Sequence, residues 1–339
     1  MSAAIIEALI NGKNLSFDEA RDLMESIMDG ALSEARIASL LTALRMKGET
    51  VDEIAGFASA MRRKAVRITP KRRGMVDTCG TGGDARHTFN VSTAAALVTA
   101  AMGIPVAKHG NRAVSSKCGS ADVLEALGVN ISLGAEQVAA LIDSVGIGFL
   151  FAPSLHPAMK HAAPVRKELG VRTVFNILGP LTNPAGVERQ LTGVFHPDLT
   201  ERLCNVLHTL GSEKAFVVHG LDGTDEVSIG GETRVSALEK GRVRTFHFAP
   251  EEAGLDRAPL DAISGASPGE NARHIEEIVD GKSGPRRDAV LLNAGFVAAL
   301  ADRAPDPAKG VALAAEAIDS GAAKTLLQSL REVSNELAN

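Results

Sequence analysis

Up to about residue 70, apolar side chains recur at helical spacing. Leu23, Ile27 and Met28 form one such set, and Ile37, Leu40, Leu41 and Leu44 another. Two stretches, Ser16–Phe17–Asp18–Glu19 and Thr50–Val51–Asp52–Glu53, carry the capping-box pattern. In that pattern a hydroxyl and a carboxylate satisfy the orphan amides of a first helical turn. Gly12, Gly30 and Gly48 stand where helices stop, because glycine enters the left-handed cap conformation at little cost. The pattern predicts a small bundle of four helices as the first domain, residues 1–73.

From Met75 the pattern changes. Short apolar runs, GFLFAP at 148–153 and AFVVHG at 215–220, alternate with helical segments such as DAVLLNAGFVAALA and the Ala-rich stretch from Val311 to Leu337. Strands alternating with helices predict a largely parallel sheet with helices on its faces. Turn signals at Gly230–Gly231 and Lys240–Gly241 suggest hairpins, which make the sheet mixed. The fold class is therefore α/β: a small α-helical domain and a larger α/β domain over 74–339. The Pro-punctuated segment near 156–186 is a candidate to return and pack on the helical domain.

Composition narrows the classes. The chain has 339 residues, 45% hydrophobic and 23% charged, long enough for about two domains with real cores. With no Trp, no Tyr and 11 Phe, it lacks the stacking surface of a single-strand binder. A net charge of −5 argues against general attraction to nucleic acid or anionic membrane. The N-terminal MSAAIIEALINGK lacks the basic flank and apolar core of a signal peptide. The most apolar stretch, STAAALVTAAMGIPVA, is too short to span a bilayer. Cys79, Cys118 and Cys204 have neither zinc-site spacing nor an even count, so we expect a reducing, cytoplasmic compartment. The basic run from Arg62 to Arg73 reads as a helix end and interdomain linker rather than a nucleic-acid contact.

Four loops carry the candidate chemistry. In DTCGTGGD, Asp77 to Asp84, the spacing of Gly80, Gly82 and Gly83 fits neither the dinucleotide fingerprint nor the P-loop. Two readings remain, a backbone nest that approaches a phosphate and a plain tight turn. HTFNVSTAAALV then puts Thr88, Asn90, Ser92 and Thr93 just ahead of an apolar helix, more polar groups than one N-cap uses. KHGNRAVSSKCGS mixes the cations Lys108, Arg112 and Lys117 with Asn111, Ser115, Ser116 and Ser120, and Gly110 and Gly119 let the backbone fold around a ligand. A charge-assisted hydrogen bond contributes about 1.5–3 kcal/mol, so holding a polyphosphate against water takes several. HGLDGTDEVS supplies Asp222, Asp225 and Glu226, oxygen ligands of the kind Mg²⁺ shares with substrate phosphate. Between KHGNRAVSSKCGS and HGLDGTDEVS, Arg166 is a candidate bidentate partner for a substrate carboxylate. His109 and His156 are either ligand contacts or structural.

In this order GTGGD, TFNVST, KHGNRAVSS, FNILGPLTNPA and the Asp225–Glu226 pair resemble anthranilate phosphoribosyltransferases over essentially the whole chain. The resemblance implies an active site between the two domains and a homodimer made through the helical part. It implies that Gly80, Gly83, Asp84, Thr88, Asn90, Val91, Ser92 and Thr93 hold phosphoribosyl diphosphate. Lys108, His109, Gly110, Asn111, Arg112, Ala113, Val114, Ser115, Ser116 and Ser120 would complete that cradle. Ser92, Asp225 and Glu226 would serve two Mg²⁺ ions, and anthranilate would contact Gly80, Asn111 and Arg166, with His109, His156 and Pro180 as further lining. Ala85 departs from the glycine expected after GTGGD. An aromatic amine is neutral near pH 7, so departure of diphosphate is the difficult step; positioning and metal electrostatics should dominate, without a covalent intermediate. Pyrimidine nucleoside phosphorylases, similar in fold, are the alternative among enzymes. A nucleic-acid-binding relative that has lost catalysis is the alternative outside them.

Overall fold

The computed structural model describes residues 2–84, 86–113 and 117–338. Four N-terminal helices, α1 (Ser2–Ile10), α2 (Phe17–Met28), α3 (Glu34–Lys47) and α4 (Val51–Lys64), form where the periodicity places them. Both capping boxes close: Ser16 and Thr50 accept from the amides of Glu19 and Glu53, whose carboxylates reach back to the cap amides. Glu53 also pairs with Lys47 at 2.8 Å in a buried ion pair, and it accepts from the Leu15 amide at 2.9 Å, which ties α4 to the α1–α2 connection. Gly12, Gly30 and Gly48 all take positive φ at the helix ends.

The rest is built on a seven-stranded sheet. Its strands are β1 (Val76–Asp77), β2 (Val106–Gly110), β3 (Ile147–Phe151), β4 (Arg189–Gly193), β5 (Lys214–Gly220), β6 (Thr233–Glu239) and β7 (Arg242–Phe248). Their spatial order is β3-β2-β1-β4-β5-β6-β7. The first five run parallel, and β6 and β7 add antiparallel pairs. The Lys240–Gly241 signal closes the β6–β7 hairpin, with both residues at positive φ. Gly230–Gly231 is not a tight hairpin turn; it lies inside the long 221–232 loop that joins β5 to β6. Within the apolar STAAALVTAAMGIPVA stretch the helix α5 (Val91–Ala101) stops ahead of Gly103, and Val106 opens β2.

Strand alternation divides the interior into two cores. On β5, Phe216 and Val218 pack with α5 and the C-terminal helices, whereas Ala215 and Val217 pack on the other face with helix Leu199–Thr209. The second core is continuous with the N-terminal bundle. It also takes in Ala162, Val165, Val174, Phe175, Ile177 and Leu178 from the middle of the chain. The basic run is absorbed structurally: Arg62 donates to the Leu181 and Leu210 carbonyls at 2.6 and 3.4 Å, Arg63 pairs with Glu25, and Lys64 pairs with Asp29. Among the described residues no helix is long and apolar enough to cross a membrane.

Candidate active site

The strand order reverses between β1 and β4: from β1 the chain works outward to β2 and β3, then returns to β4 and works outward the other way. In an open parallel sheet, a crevice opens at such a point, beyond the carboxyl ends of the strands. The glycine loop leaves β1 there, and the chain after Gly193 leaves β4 beside it. Thr81 donates its amide to the Gly193 carbonyl at 2.8 Å, and its hydroxyl accepts from the Phe195 amide at 3.1 Å. Gly82 and Gly83 sit at φ +62° and +74°, conformations that any side chain would strain. Gly193 is required by proximity, because a Cβ there would lie 1.6 Å from the Asp225 carbonyl oxygen.

One face of the crevice gathers charge. Lys108, almost fully buried on β2, donates to the Thr78 carbonyl at 3.0 Å and approaches the Ser92 hydroxyl at 3.5 Å. Asp225 accepts from the Gly82 amide at 2.8 Å, and Glu226 accepts from the Ser92 amide at 3.2 Å, at the start of α5. Asp84 accepts from the Asp225 amide at 3.4 Å. Burial raises the Asp225 carboxyl well above the usual range, and neighbouring Asp84 adds to the shift. Burial likewise raises Glu226, with Asp225 adding repulsion and Lys108 opposing it. Crowded carboxylates beside a serine hydroxyl are a hard oxygen donor set short of positive charge, which suits Mg²⁺. Among the described residues no three His, Cys, Asp or Glu side chains form a closed metal cage. Asp222 serves the loop instead, accepting from Ser228 and, at 2.8 Å, from Thr224.

The adjacent residue on β2 belongs to a different environment. Successive strand side chains point to opposite faces, so His109 points away from Lys108. Its Nδ1 lies 3.1 Å from the Gly179 carbonyl, its ring centroid lies 5.2 Å from that of His156, and both rings are buried. Burial lowers His109 to about 3, with His156 contributing, and lowers His156 to about 4. Both are neutral near pH 7, and the Nε2 of each is buried with no partner among the described residues. Arg166, half-buried on helix Ala163–Leu169, lies over Phe175 at 5.1 Å and makes no ion pair among the described residues. Burial lowers its pKa. Pro180 is buried, and its carbonyl accepts from Gln190 at 2.8 Å.

Beneath both environments lies Asp77, fully buried and raised to about 6 by that burial, with Lys108 opposing the shift. It accepts from the His109 amide at 3.1 Å and from Asn183 at 2.8 Å. Asp77, Asn183, Thr78 and Gly193 are supports that sequence reasoning missed. Their partners lie far away in sequence.

The predicted cradle residues do not all present free groups. Asn90 bonds the Cys118 carbonyl at 3.2 Å and Asn271 at 2.9 Å, and makes no side-chain cap bond. Thr88 bridges to Ser264, Val91 is core, and Thr93 is buried with a hydroxyl that has no partner among the described residues. Arg112 pairs with Glu125 at 2.8 Å and Asp122 at 3.2 Å, so its charge is locally neutralised. Ser120 exchanges hydrogen bonds with the Asn111 backbone at 3.2 Å, and a Cβ on Gly110 would meet its hydroxyl at 2.3 Å. Ala113 donates its amide to Asp122 at 2.9 Å. A Cβ on Gly80 would lie 2.9 Å from the Asp225 carboxylate. Ala85, Val114, Ser115 and Ser116 lie outside the described residues.

Comparison with known proteins matches two family models. Residues 72–324 match the glycosyl transferase family a/b domain, and residues 3–65 match that family's helical bundle domain. Anthranilate phosphoribosyltransferase of Symbiobacterium thermophilum is 52% identical over 334 residues, covering 98% of each chain. The enzyme of that name from Moorella thermoacetica is 52% identical over 97% of each. The crystal structure of anthranilate phosphoribosyltransferase from Thermus thermophilus superposes with a TM-score of 0.92 at 47% identity, over 97% of this chain and 99% of that one. The Saccharomyces cerevisiae enzyme in complex with PRPP and Mg superposes at 0.90 with 31% identity, over 99% of this chain and 98% of the yeast chain.

Proposed function

This chain belongs to the anthranilate phosphoribosyltransferase family and transfers the 5-phosphoribosyl group of phosphoribosyl diphosphate to the amine of anthranilate, and we propose that it does so across the two faces of the β1/β4 crevice. The observation that carries this reading is the pair Lys108–His109: one strand sends a buried cation to one side and, to the other, a neutral imidazole whose Nε2 has no partner among the described residues.

On the charged side, Gly80, Gly83, Asp84 and the 88–93 segment receive phosphoribosyl diphosphate, with Lys108, Asn111 and the remainder of that loop around it. Ser92, Asp225 and Glu226 would hold Mg²⁺, two ions in our reading, which when bound neutralises charge on the departing diphosphate. Arg112 would exchange its Glu125 pairing for phosphate. On the other side, Arg166 takes the anthranilate carboxylate as a bidentate pair. The Nε2 atoms of His109 and His156 accept hydrogen bonds from the two amine N–H groups, and Pro180 lines the ring. Because these imidazoles are such weak bases, they orient the amine rather than deprotonate it. Nitrogen attacks C1 as the C1–diphosphate bond breaks, and the resulting acidic ammonium then gives its proton to water. Holding amine and C1 in attack geometry supplies much of the acceleration.

We further propose two domains, with the 156–186 segment joining the helical one. The unit in solution would be a homodimer through the helical bundle, where Ile10 and Met46 are 71% and 84% exposed. The odd count and the spacing of Cys79, Cys118 and Cys204 suit a reducing compartment such as the cytoplasm. The test is anthranilate fluorescence, with little protein background because Trp and Tyr are absent. Loss of signal only when anthranilate, phosphoribosyl diphosphate and Mg²⁺ are all present, with diphosphate released, supports the reading. No loss beside a working control enzyme refutes it.

A further inference from the structure

Arg172 sits on the connection that follows the Arg166 helix and has no role in the sequence reading. The connection is pinned at both ends. Gly170 ends the helix at φ 63°, and the Thr173 amide is held by Asn176 at 2.9 Å. From there the Arg172 guanidinium stacks on the Phe195 ring at 4.1 Å and donates to the Gly83 carbonyl. Phe195 is itself fixed to the glycine loop, since its amide donates to the Thr81 hydroxyl at 3.1 Å. Thus a side chain from the acceptor segment and a ring from the end of β4 grip the same loop.

This grip has a directional consequence. The Gly83 carbonyl and the Asp84 N–H share one planar trans peptide, so they point opposite ways. Holding the carbonyl toward Arg172 aims the Asp84 N–H away from it. Gly83 at φ +74° would otherwise let that peptide turn at little cost. Only a planar guanidinium can stack on a ring and donate in its own plane at once; lysine cannot do both.

We propose that Arg172 is a positioning residue that locks the Gly83–Asp84 peptide so that its N–H is presented to the diphosphate, and that it links this loop to the segment holding the acceptor. The inference rests on the transferase reading. The wild-type fluorescence assay runs in the same series, so an inactive wild type would refute that reading, whereas an active wild type with unaltered variants would refute only the role of Arg172.

The experiment compares wild type, Arg172→Ala, Arg172→Lys and Phe195→Leu by steady-state kinetics and by calorimetric titration with Mg-phosphoribosyl diphosphate and with anthranilate alone. Loss of one oriented donor to a charged phosphate predicts a KM and a Kd for phosphoribosyl diphosphate raised about ten- to hundredfold in Arg172→Ala. The Kd for anthranilate alone should stay within about twofold. Arg172→Lys should resemble Arg172→Ala, Phe195→Leu should shift the same way by less, and added methylguanidinium should restore part of the loss. The proposal is overturned if Arg172→Lys matches wild type, or if Arg172→Ala leaves the diphosphate-substrate KM unchanged. It is also overturned if both substrates weaken equally and methylguanidinium restores nothing, the pattern of a merely structural residue. Should Arg172→Ala fail to fold, the lysine and leucine variants decide the matter alone.

Discussion

The two faces of the crevice begin one residue apart on β2 and treat charge in opposite ways. Around Lys108, carboxylates are packed closer than they tolerate alone, held there by the Gly82 and Ser92 amides. Around His109, ionisation is suppressed: two imidazoles are neutral, and one guanidinium lacks a carboxylate among the described residues. The first arrangement is incomplete without cations, and the second without an anion and a pair of N–H donors. Those missing groups are the features of a metal-bound diphosphate and of an aminobenzoate. In the proposed reading, selectivity comes from what each face leaves unsatisfied.

If the faces are independent, damage should stay on its own side. The largest effect is expected from Asp225→Asn combined with Glu226→Gln. Removing electrostatic support for the leaving group should lower kcat/KM by about 10²–10³ at limiting Mg²⁺. Wild-type kinetics in that variant would remove the metal role. Arg166→Ala comes next, raising the anthranilate KM about ten- to hundredfold, the equivalent of about 1.5–3 kcal/mol for a charge-assisted pair. An analogue lacking the carboxylate should not sense that substitution.

The histidines give a smaller and pH-linked effect. Burial holds them at about 3 and about 4, against an ordinary value of 6.5. The unfolded chain therefore binds protons that the folded chain does not. Their contribution to stability is fully present above about pH 6.5 and is lost as pH falls through that value toward about 4. Replacing both with Gln should reduce the acid dependence of the melting temperature. At saturating Mg²⁺ and phosphoribosyl diphosphate, kcat/KM for anthranilate should show no ionisation of histidine type between about pH 5.5 and 7.5. Such an ionisation would make one of them a general base. Smallest is Thr50→Ala, which removes the α4 cap. It should cost about 0.5–2 kcal/mol of stability and leave both KM values alone, as a control distant from either face.

Much of this was legible from local pattern. The four helices, both capping boxes, the Lys240–Gly241 hairpin and the glycine loop announce themselves within a few residues, because capping and turn chemistry act at short range. The Asp225–Glu226 pair was visible for the same reason. What was not legible depends on long-range pairing. Nothing near Asp77 reveals that Asn183 will meet it, and nothing near Arg172 points to Gly83 or Phe195. Local reading also could not show the intramolecular partners of Asn90 and Arg112, since Asn271, Asp122 and Glu125 meet them only once helices pack. Asp222 looked equal to its acidic neighbours, yet the fold gives it to Ser228 and Thr224.

The most direct test of the two-faced crevice is a crossed kinetic measurement. KM values for anthranilate and for phosphoribosyl diphosphate would be determined on Arg166→Ala and on Asp225→Asn at fixed Mg²⁺. The account predicts that Arg166→Ala raises only the anthranilate value and that Asp225→Asn raises only the phosphoribosyl diphosphate value. Equal rises for both substrates in both variants would contradict it.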